Sequence, residues 1–230
     1  MDKEQVAKRI IEIGIVPVVR ATSAEKAMLA AEAVCRGGIP IVEVTMTVPR
    51  AIEAISYLAK KLGDDVLIGA GTVLDADTAE RCVSAGAEFI VSPGFDLETV
   101  KYANRAGKTI MAGALTPTEV IAAWKAGSDF VKIFPCGSVG GAKYIKALKG
   151  PLPQVPMIPT GGVNLSTAAE FLHAGGQVQR VKHCGIDACD NVLGDQINCI
   201  GGQVDHGSAH HAGGRRQSSH QRRSHRHGSP

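Results

Sequence analysis

The feature that most constrains this fold is a repeat of about 20 to 25 residues, in which an amphipathic segment ends at a glycine and an apolar run follows. The glycines in question are Gly38, Gly63, Gly86, Gly107, Gly127, Gly150 and Gly175, the last of which lacks a following run. Glycine often ends a helix because it adopts the left-handed backbone conformation without a steric penalty. The pattern therefore predicts helices that alternate with strands.

The apolar runs are nearly continuous, as expected of parallel strands that are covered on both faces. They span residues 15–20, 41–46, 67–73, 89–94, 109–115, 130–135 and 157–163. Successive β-then-α units join parallel strands by right-handed crossovers. Seven such units predict an α/β fold of the TIM (β/α)8 barrel type. A doubly wound open sheet is the alternative, whereas leucine-rich repeats are excluded because their leucine and asparagine pattern is missing.

Two helix starts are recognisable from their capping residues. In Thr116-Pro117-Thr118-Glu119, the threonine can cap, proline suits the first helical position, and the glutamate completes a capping box. Thr22 with Glu25 is predicted to cap in the same way.

The repeat stops after Gly175, where an eighth strand and a closing helix would complete the barrel. Residues 177–184 match the earlier strands poorly, and all eight histidines lie at or beyond His173. We therefore divide the chain into a barrel domain, residues 1–175, and a divergent Gly/Ser/His/Arg-rich segment, residues 176–230, which we predict to be poorly ordered. An out-of-frame extension and a natural disordered tail are both open as its origin.

Charge and cysteine content exclude several classes of protein. The net charge is +3, but residues 201–230 carry +4, which leaves the body at about −1 and disfavours a nucleic-acid binder. No segment resembles a secretory signal or a membrane span, so we expect a soluble, cytoplasmic protein with reduced thiols. Cys136 is a poor candidate nucleophile because no histidine precedes residue 173 to act as its base.

One lysine, Lys132, lies in the middle of the apolar strand 130–135, where an unpaired ammonium would be costly to bury. Burial favours the uncharged amine, which can attack a ketone to form a Schiff base. Strand parity places Glu43, flanked by Val42 and Val44, on the inner face of strand 2 in the same way. A structural ion pair and a catalytic pair are both open for these two residues.

Further polar groups end the other predicted strands, where TIM barrels place their sites. They are Arg20, Thr45 and Thr47, Thr72, Pro93, and Thr160-Gly161-Gly162. The arginine and threonines could bind a carboxylate, so the set is typical of a keto-acid site. The Gly-Gly turn after strand 7 exposes backbone N–H groups and favours a phosphate, although a plain tight turn is also open.

Five motifs carry a resemblance to a known family. They are Ile41-Val42-Glu43-Val44-Thr45, Gly69-Ala70-Gly71-Thr72-Val73, Phe89-Ile90-Val91-Ser92-Pro93-Gly94, Phe130-Val131-Lys132-Ile133-Phe134-Pro135 and Pro159-Thr160-Gly161-Gly162-Val163. In this order they resemble the 2-keto-3-deoxy-6-phosphogluconate (KDPG) and 4-hydroxy-2-oxoglutarate (KHG) aldolases. The resemblance implies a class I aldolase on a homotrimeric barrel, with a small 2-keto acid substrate and no metal or other cofactor.

The resemblance also implies roles for individual residues. Lys132 would form the Schiff base, Glu43 would be the general acid/base, Thr72 would contact the pyruvate carboxylate, and Gly161 and Gly162 would bind phosphate. Some members carry an arginine four residues after the glutamate, where this chain has Thr47, and we infer that Arg20 supplies the missing guanidinium.

The expected reaction is retro-aldol cleavage of KDPG to pyruvate and glyceraldehyde 3-phosphate. Cleavage of KHG to pyruvate and glyoxylate is the close alternative, and a galactonate-derived substrate is also open. The alternative from another class is a non-catalytic protein that binds nucleic acid or metal through its Arg/His-rich tail. Zinc is disfavoured there because His183, Cys184, Cys189 and Cys199 lack paired CxxC spacing.

Overall fold

A computed structural model describes residues 1–164, 166–176 and 197–198, and in it seven parallel strands alternate with helices. The strands are β1 (Val18–Val19), β2 (Ile41–Thr45), β3 (Leu67–Gly71), β4 (Phe89–Val91), β5 (Thr109–Ala114), β6 (Phe130–Ile133) and β7 (Met157–Pro159). The helices are α1 (Lys3–Ile13), α2 (Ala24–Arg36), α3 (Ala51–Leu62), α4 (Ala76–Ser84), α5 (Leu97–Arg105), α6 (Pro117–Lys125), α7 (Ala142–Lys149) and α8 (Ala168–His173).

The seven strands pair in chain order, each parallel to the next, from β1 to β7. A two-residue strand, β8 (Ile197–Asn198), lies antiparallel on the other edge of β1. The predicted barrel class is confirmed: the strands form the curled parallel sheet of a TIM-type barrel, with a helix after each of them. The segment 177–184, where the sequence predicts no matching eighth strand, lies outside the described residues, as do His183, Cys184, Cys189 and Cys199.

The apolar runs are buried on both faces, which explains why they do not alternate with polar residues. Every residue of the seven strands is buried, and the apolar faces of the helices cover the outer side of the sheet. In α3, for example, Ala54, Ile55 and Leu58 are fully buried, while Lys60 and Lys61 face water. Each helix is thus amphipathic with one face against the sheet.

Capping residues set the helix ends as the sequence predicts, with one correction. Thr116 and Glu119 form the capping box of α6, with Pro117 at its first position. At α2, however, Ser23 rather than Thr22 is the N-cap, because its side chain accepts the N–H of Lys26. Of the seven predicted helix-ending glycines, all except Gly150 have a positive φ.

The first helix, α1, closes on the N-terminal ends of β5 and β6. Lys3 pairs with Asp129 at 3.0 Å, and the Thr109 hydroxyl donates to the Lys3 carbonyl at 3.1 Å. These contacts leave the C-terminal ends of the strands as the open end of the barrel. No helix among the described residues is long and apolar enough to cross a membrane.

Candidate active site

Glu43 and Lys132 both reach the interior of the barrel. Glu43 is fully buried on β2, and Lys132 is 3% exposed on β6. Three strands separate β2 from β6 in the sheet, yet the charge of Lys132 affects the ionisation of Glu43. Such an effect requires the two side chains to approach each other across the interior, as strand parity predicts.

The carboxyl of Glu43 has an unusual environment, because neither of its oxygens has a hydrogen-bond partner among the described residues. Burial raises the pKa of Glu43 above its ordinary value, and the positive charges of Lys132 and Arg20 offset this only in part. A carboxyl with a raised pKa holds its proton more readily and is suited to donate it as a general acid. Unpaired buried polar groups are rare, and they are concentrated where a ligand completes the pairing.

Lys132 makes no ion pair or hydrogen bond with the described part of the chain, so the structure does not contain the structural Lys–Glu ion pair. Its Nζ lies 5.6 Å from the centre of the Phe134 ring. In the sheet Lys132 is flanked by Gly113 on β5 and Ile158 on β7. An amine held among apolar neighbours without a partner is free to attack a carbonyl carbon.

Thr72, directly after β3, has a strained backbone. Its φ is +58°, which is uncommon for a β-branched residue and costs about 1 to 3 kcal/mol. The flanking peptides enforce it, since Gly71 O accepts from Met46 N at 2.8 Å and Val73 N donates to Val91 O at 3.2 Å. Neither the N–H nor the hydroxyl of Thr72 has a partner among the described residues, so both are available to a ligand.

The two neighbouring strand ends contribute Arg20 and Thr47. Arg20 is half-buried and follows β1, close enough to Glu43 to influence the pKa of that carboxyl. Thr47 is exposed, and its hydroxyl lies 2.7 Å from that of Thr45, which in turn bonds to Val19 O at 3.2 Å. The charge of Arg20 thus acts on the buried carboxyl, whereas Thr47 lies at the surface.

Pro93, after β4, lies against β5. A Cβ atom at Gly113 would come within 2.3 Å of the Pro93 carbonyl oxygen, so glycine is needed at that position. Because Gly113 pairs in register with Lys132, the Pro93 carbonyl lies next to the strand segment that carries the lysine. The close approach of backbone to backbone explains the glycine in the middle of β5.

The turn Thr160-Gly161-Gly162 follows β7 and lies against the loop after β6. The carbonyls of Thr160 and Gly161 accept the N–H groups of Cys136 and Gly137 at 2.9 and 2.8 Å. Gly161 and Gly162 have φ of +87° and +81°. Their own N–H groups, and that of Val163, find no acceptor among the described residues, so they can bind an anion.

The Cys136 thiol does not take part in this chemistry. Its Sγ is buried and donates to Gly141 O at 3.5 Å, and burial raises the pKa of the thiol to about 11. A thiol in this environment is protonated at neutral pH and therefore a weak nucleophile.

Sequence reasoning assigned no role to three residues that shape this site. Phe134 places its ring beside Lys132, Gly71 leaves the space that the Glu43 carboxyl fills, and Thr167 holds the Gly162 carbonyl at 2.9 Å. The alternation of Phe130, Lys132 and Phe134 on one strand face is a sequence signal for the first. The other two depend on contacts between distant segments or on a local turn, which no spacing pattern predicts.

A separate groove of about 370 Å³ lies outside the barrel, at the N-terminal ends of α3 and α4. It is lined by Met46, Val48, Arg50, Ala51, Ile52, Glu53, Thr72, Leu74, Asp75, Thr78 and Arg81. Neither Glu43 nor Lys132 contributes to it. Of the predicted site residues, Thr72 alone is among the residues that line this groove.

Comparison with known proteins gives the same family as the motifs. The sequence model of the KDPG and KHG aldolases matches residues 6–188. The 2-dehydro-3-deoxy-phosphogluconate aldolase of Treponema pallidum (strain Nichols) is 38% identical over 173 residues, which are 75% of this chain and 80% of that protein.

Two solved structures of such aldolases have the same fold. KDPG aldolase of Zymomonas mobilis ZM4, solved with 3-phosphoglycerate, superposes with a TM-score of 0.67 at 32% identity over 72% of this chain and 79% of that one. KDPG aldolase of Legionella pneumophila superposes with a TM-score of 0.66 at 34% identity over 71% and 79% of the two chains. In the latter crystal, pyruvate was captured at low pH as a covalent carbinolamine intermediate.

Proposed function

Because this chain belongs to the KDPG and KHG aldolase family, we propose that it cleaves 2-keto-3-deoxy-6-phosphogluconate to pyruvate and glyceraldehyde 3-phosphate through a Schiff base on Lys132. The observation that carries the proposal is that a buried amine and a buried carboxyl lie inside one barrel, and that neither has a hydrogen-bond partner among the described residues. The carbinolamine seen in the Legionella pneumophila relative supports this class of intermediate.

The reaction begins when the uncharged amine of Lys132 attacks the C2 ketone. The resulting carbinolamine loses water and becomes an iminium ion, which draws electrons from the reacting carbons. Glu43, as the carboxylate, takes the proton of the C4 hydroxyl while the C3–C4 bond breaks. The bonding electrons move to the nitrogen, glyceraldehyde 3-phosphate leaves, and an enamine of pyruvate remains on the lysine.

Glu43 then returns its proton to C3 of the enamine, and water hydrolyses the iminium to release pyruvate and the free amine. One carboxyl thus acts as base and then as acid, which suits a group whose pKa is raised above its ordinary value. Without a fixed hydrogen-bond partner, this carboxyl can exchange its proton with the substrate.

We assign the substrate contacts by the chemistry of the groups at the strand ends. Arg20 and Thr72 bind the carboxylate, Thr47 contributes at the rim, and the Pro93 carbonyl accepts from a substrate hydroxyl. The N–H groups of Gly161 and Gly162 bind the phosphoryl group, with Thr160 holding the turn against β6. Backbone donors of this kind bind anions well because they are fixed before the ligand arrives.

The test is covalent trapping with pyruvate and borohydride, followed by peptide mass spectrometry of the full chain. We expect reduction to fix pyruvate on the peptide that contains Lys132 and cleavage of KDPG to release pyruvate. Lys132→Ala should abolish both, while Lys125→Ala on the outer helix α6 should leave both unchanged. An undiminished adduct in Lys132→Ala would refute the assignment.

KHG is the second candidate substrate, since the family description includes both activities. The chemistry at Lys132 and Glu43 would be the same, and only the phosphoryl contacts would lack a function. The ratio of kcat/KM for KDPG to that for KHG separates the two, and we expect it to exceed 1.

We also propose that the chain assembles as a homotrimer and that residues 1–175 form its catalytic domain. Apolar side chains after β3 and β4, in the loops and at the start of α5, support a contact between subunits: Leu74, Phe95 and Leu97 are 61%, 37% and 43% exposed. Sedimentation velocity of the full chain tests this, and a Leu74→Asp variant should shift the distribution toward monomer.

A further inference from the structure

The turn after β7 presents three successive peptide groups whose carbonyl oxygens are all held. Thr160 O and Gly161 O accept from the loop after β6. The third carbonyl, Gly162 O, is held differently, because it accepts from the side-chain hydroxyl of Thr167 at 2.9 Å.

Holding a carbonyl also orients the N–H of the same peptide. A trans peptide is planar, and its C=O and N–H point in opposite directions. The bonds to Thr160 O and Gly161 O therefore aim the N–H groups of Gly161 and Gly162 away from the loop after β6. By the same rule, the hydroxyl of Thr167 aims the N–H of Val163.

The direction of the Thr167 hydroxyl proton follows from its other contacts. Thr167 Oγ1 accepts the backbone N–H of Asn164 at 2.9 Å, which leaves its own proton for an acceptor. The nearest acceptor is Gly162 O; the Asn164 carbonyl and side-chain oxygens lie farther away, at 3.4 and 3.3 Å. The Thr167 hydroxyl thus bonds to both the Gly162 carbonyl and the Asn164 N–H in the turn that precedes α8.

The inference depends on the phosphoryl site in the proposed function and deepens it. We propose that Thr167 is a positioning residue for the phosphoryl group, and that Val163 N–H is a third backbone donor, oriented by the Thr167 hydroxyl through the Gly162 carbonyl. Thr167 itself does not touch the substrate. Without the hydroxyl, the Gly162–Val163 peptide loses the hydrogen bond that fixes its orientation. It can then rotate, because Gly162 tolerates a wide range of backbone angles.

The test compares Thr167→Val, which removes the hydroxyl but keeps the shape, with Thr167→Ser, which keeps the hydroxyl. Thr118→Val at the start of α6 is the matched control, since this exposed threonine hydroxyl has no partner among the described residues. Each full-length variant is assayed for kcat and KM with KDPG and with KHG. Binding of inorganic phosphate is measured separately by ³¹P line broadening.

For Thr167→Val we expect KM for KDPG to rise about tenfold, the usual effect of losing one hydrogen bond to a charged group. We expect kcat, and both constants for KHG, to stay within about twofold of the unmodified chain. Phosphate affinity should fall by the same factor as the KM for KDPG rises. Thr167→Ser and Thr118→Val should match the unmodified chain in every measurement.

Equal losses of kcat/KM for KDPG and for KHG in Thr167→Val would mean that the residue only supports the fold. This result would overturn the inference. Unchanged phosphate affinity would overturn it as well. If the unmodified chain binds phosphate in a Thr167-dependent way but cleaves neither substrate, the positioning role holds and the proposed reaction fails. If Thr167→Val does not fold, Thr167→Ala replaces it against the same Thr167→Ser rescue.

Discussion

A Cβ atom added to Gly71 would lie 1.9 Å from Oε1 of Glu43. The carboxyl of Glu43 therefore occupies the space that a side chain on the neighbouring strand would need. Gly71 ends β3, next to Thr45 at the end of β2. The absence of a side chain at residue 71 determines where the carboxyl can lie.

Gly71→Ala should inactivate the enzyme while the barrel stays folded. The clash is with the far end of a side chain, so Glu43 can move and the backbone need not. We expect KDPG cleavage to fall at least about 100-fold, as when a general acid/base is lost, with the circular dichroism spectrum unchanged. Gly150→Ala is the control, because its φ is −52° and its nearest neighbour would be at 3.4 Å. Full activity in Gly71→Ala would contradict the role of this space.

Glu43→Gln should make stability less dependent on pH. The pKa of Glu43 is raised in the folded state above its ordinary value of 4.5. A raised carboxyl pKa stabilises the fold fully below the unfolded pKa, and this contribution is lost as pH rises through the folded pKa. Glutamine imitates the protonated carboxyl, so the advantage of Glu43→Gln in free energy of unfolding should grow from pH 4.5 upward. Urea unfolding of both proteins from pH 4.5 to 8 measures it.

The control for this measurement is Glu119→Gln, a variant whose effect on stability should change with pH in the opposite direction. Backbone N–H groups of Thr116 and Leu115 lower the pKa of Glu119. Its contribution is present above the unfolded pKa and is lost as pH falls through the lower folded pKa, so the measurements on Glu119→Gln extend below pH 4.5. Glu119→Gln should therefore cost stability at neutral pH and lose this cost in acid. Parallel curves for the two variants would refute the pKa assignments.

The sequence predicts the seven strands because they are buried on both faces, which makes each run continuously apolar. The helix ends are predicted nearly as well, since glycine and capping side chains act within a few residues of the end they set. Thr22 and Ser23 show the limit of this reasoning. Both can cap a helix, and only the backbone angles of the turn determine that Ser23 does so.

The candidate site also has features that the sequence predicts and features that it does not. Lys132 and Glu43 are conspicuous in the sequence because a charged residue within an apolar strand is costly unless it has a use. The unpaired state of the Glu43 oxygens, the strained φ of Thr72 and the space at Gly71 depend on neighbouring strands. Contacts of that kind come from the register of the sheet, which single-strand patterns do not contain.

Arg20→Ala should weaken pyruvate binding and shift the ionisation of Glu43. The guanidinium partly offsets the effect of burial on the pKa of Glu43, so its loss should raise that pKa further. We expect the KM for KDPG to rise about 10-fold or more, as for the loss of a charged hydrogen-bond donor. The limb of the pH–rate profile that reports Glu43 should move to higher pH. Arg36→Ala on α2, where the arginine pairs with Glu32, is the control.

The contact between α1 and the N-terminal end of the barrel should contribute to stability in two separable parts. Asp129 Oδ2 pairs with Lys3 at 3.0 Å and accepts the N–H of Ile110 at 2.9 Å. Lys3→Met removes the ion pair, whose side chains are 22 to 24% exposed, together with the hydrogen bond from Lys3 to the Asn104 side chain, and should cost about 1 kcal/mol. Asp129→Ala also leaves the buried Ile110 N–H unpaired and should cost about 2 kcal/mol.

Urea unfolding at neutral pH measures both costs, with Lys101→Met as the control. Lys101 pairs with Glu98 on the exposed side of α5, so its loss should change stability by less than about 0.5 kcal/mol. KDPG cleavage should survive in all three variants, because the contact lies at the end of the barrel opposite the site. Equal costs for Lys3→Met and Asp129→Ala would mean that the ion pair, rather than the bond to Ile110, supplies the stability.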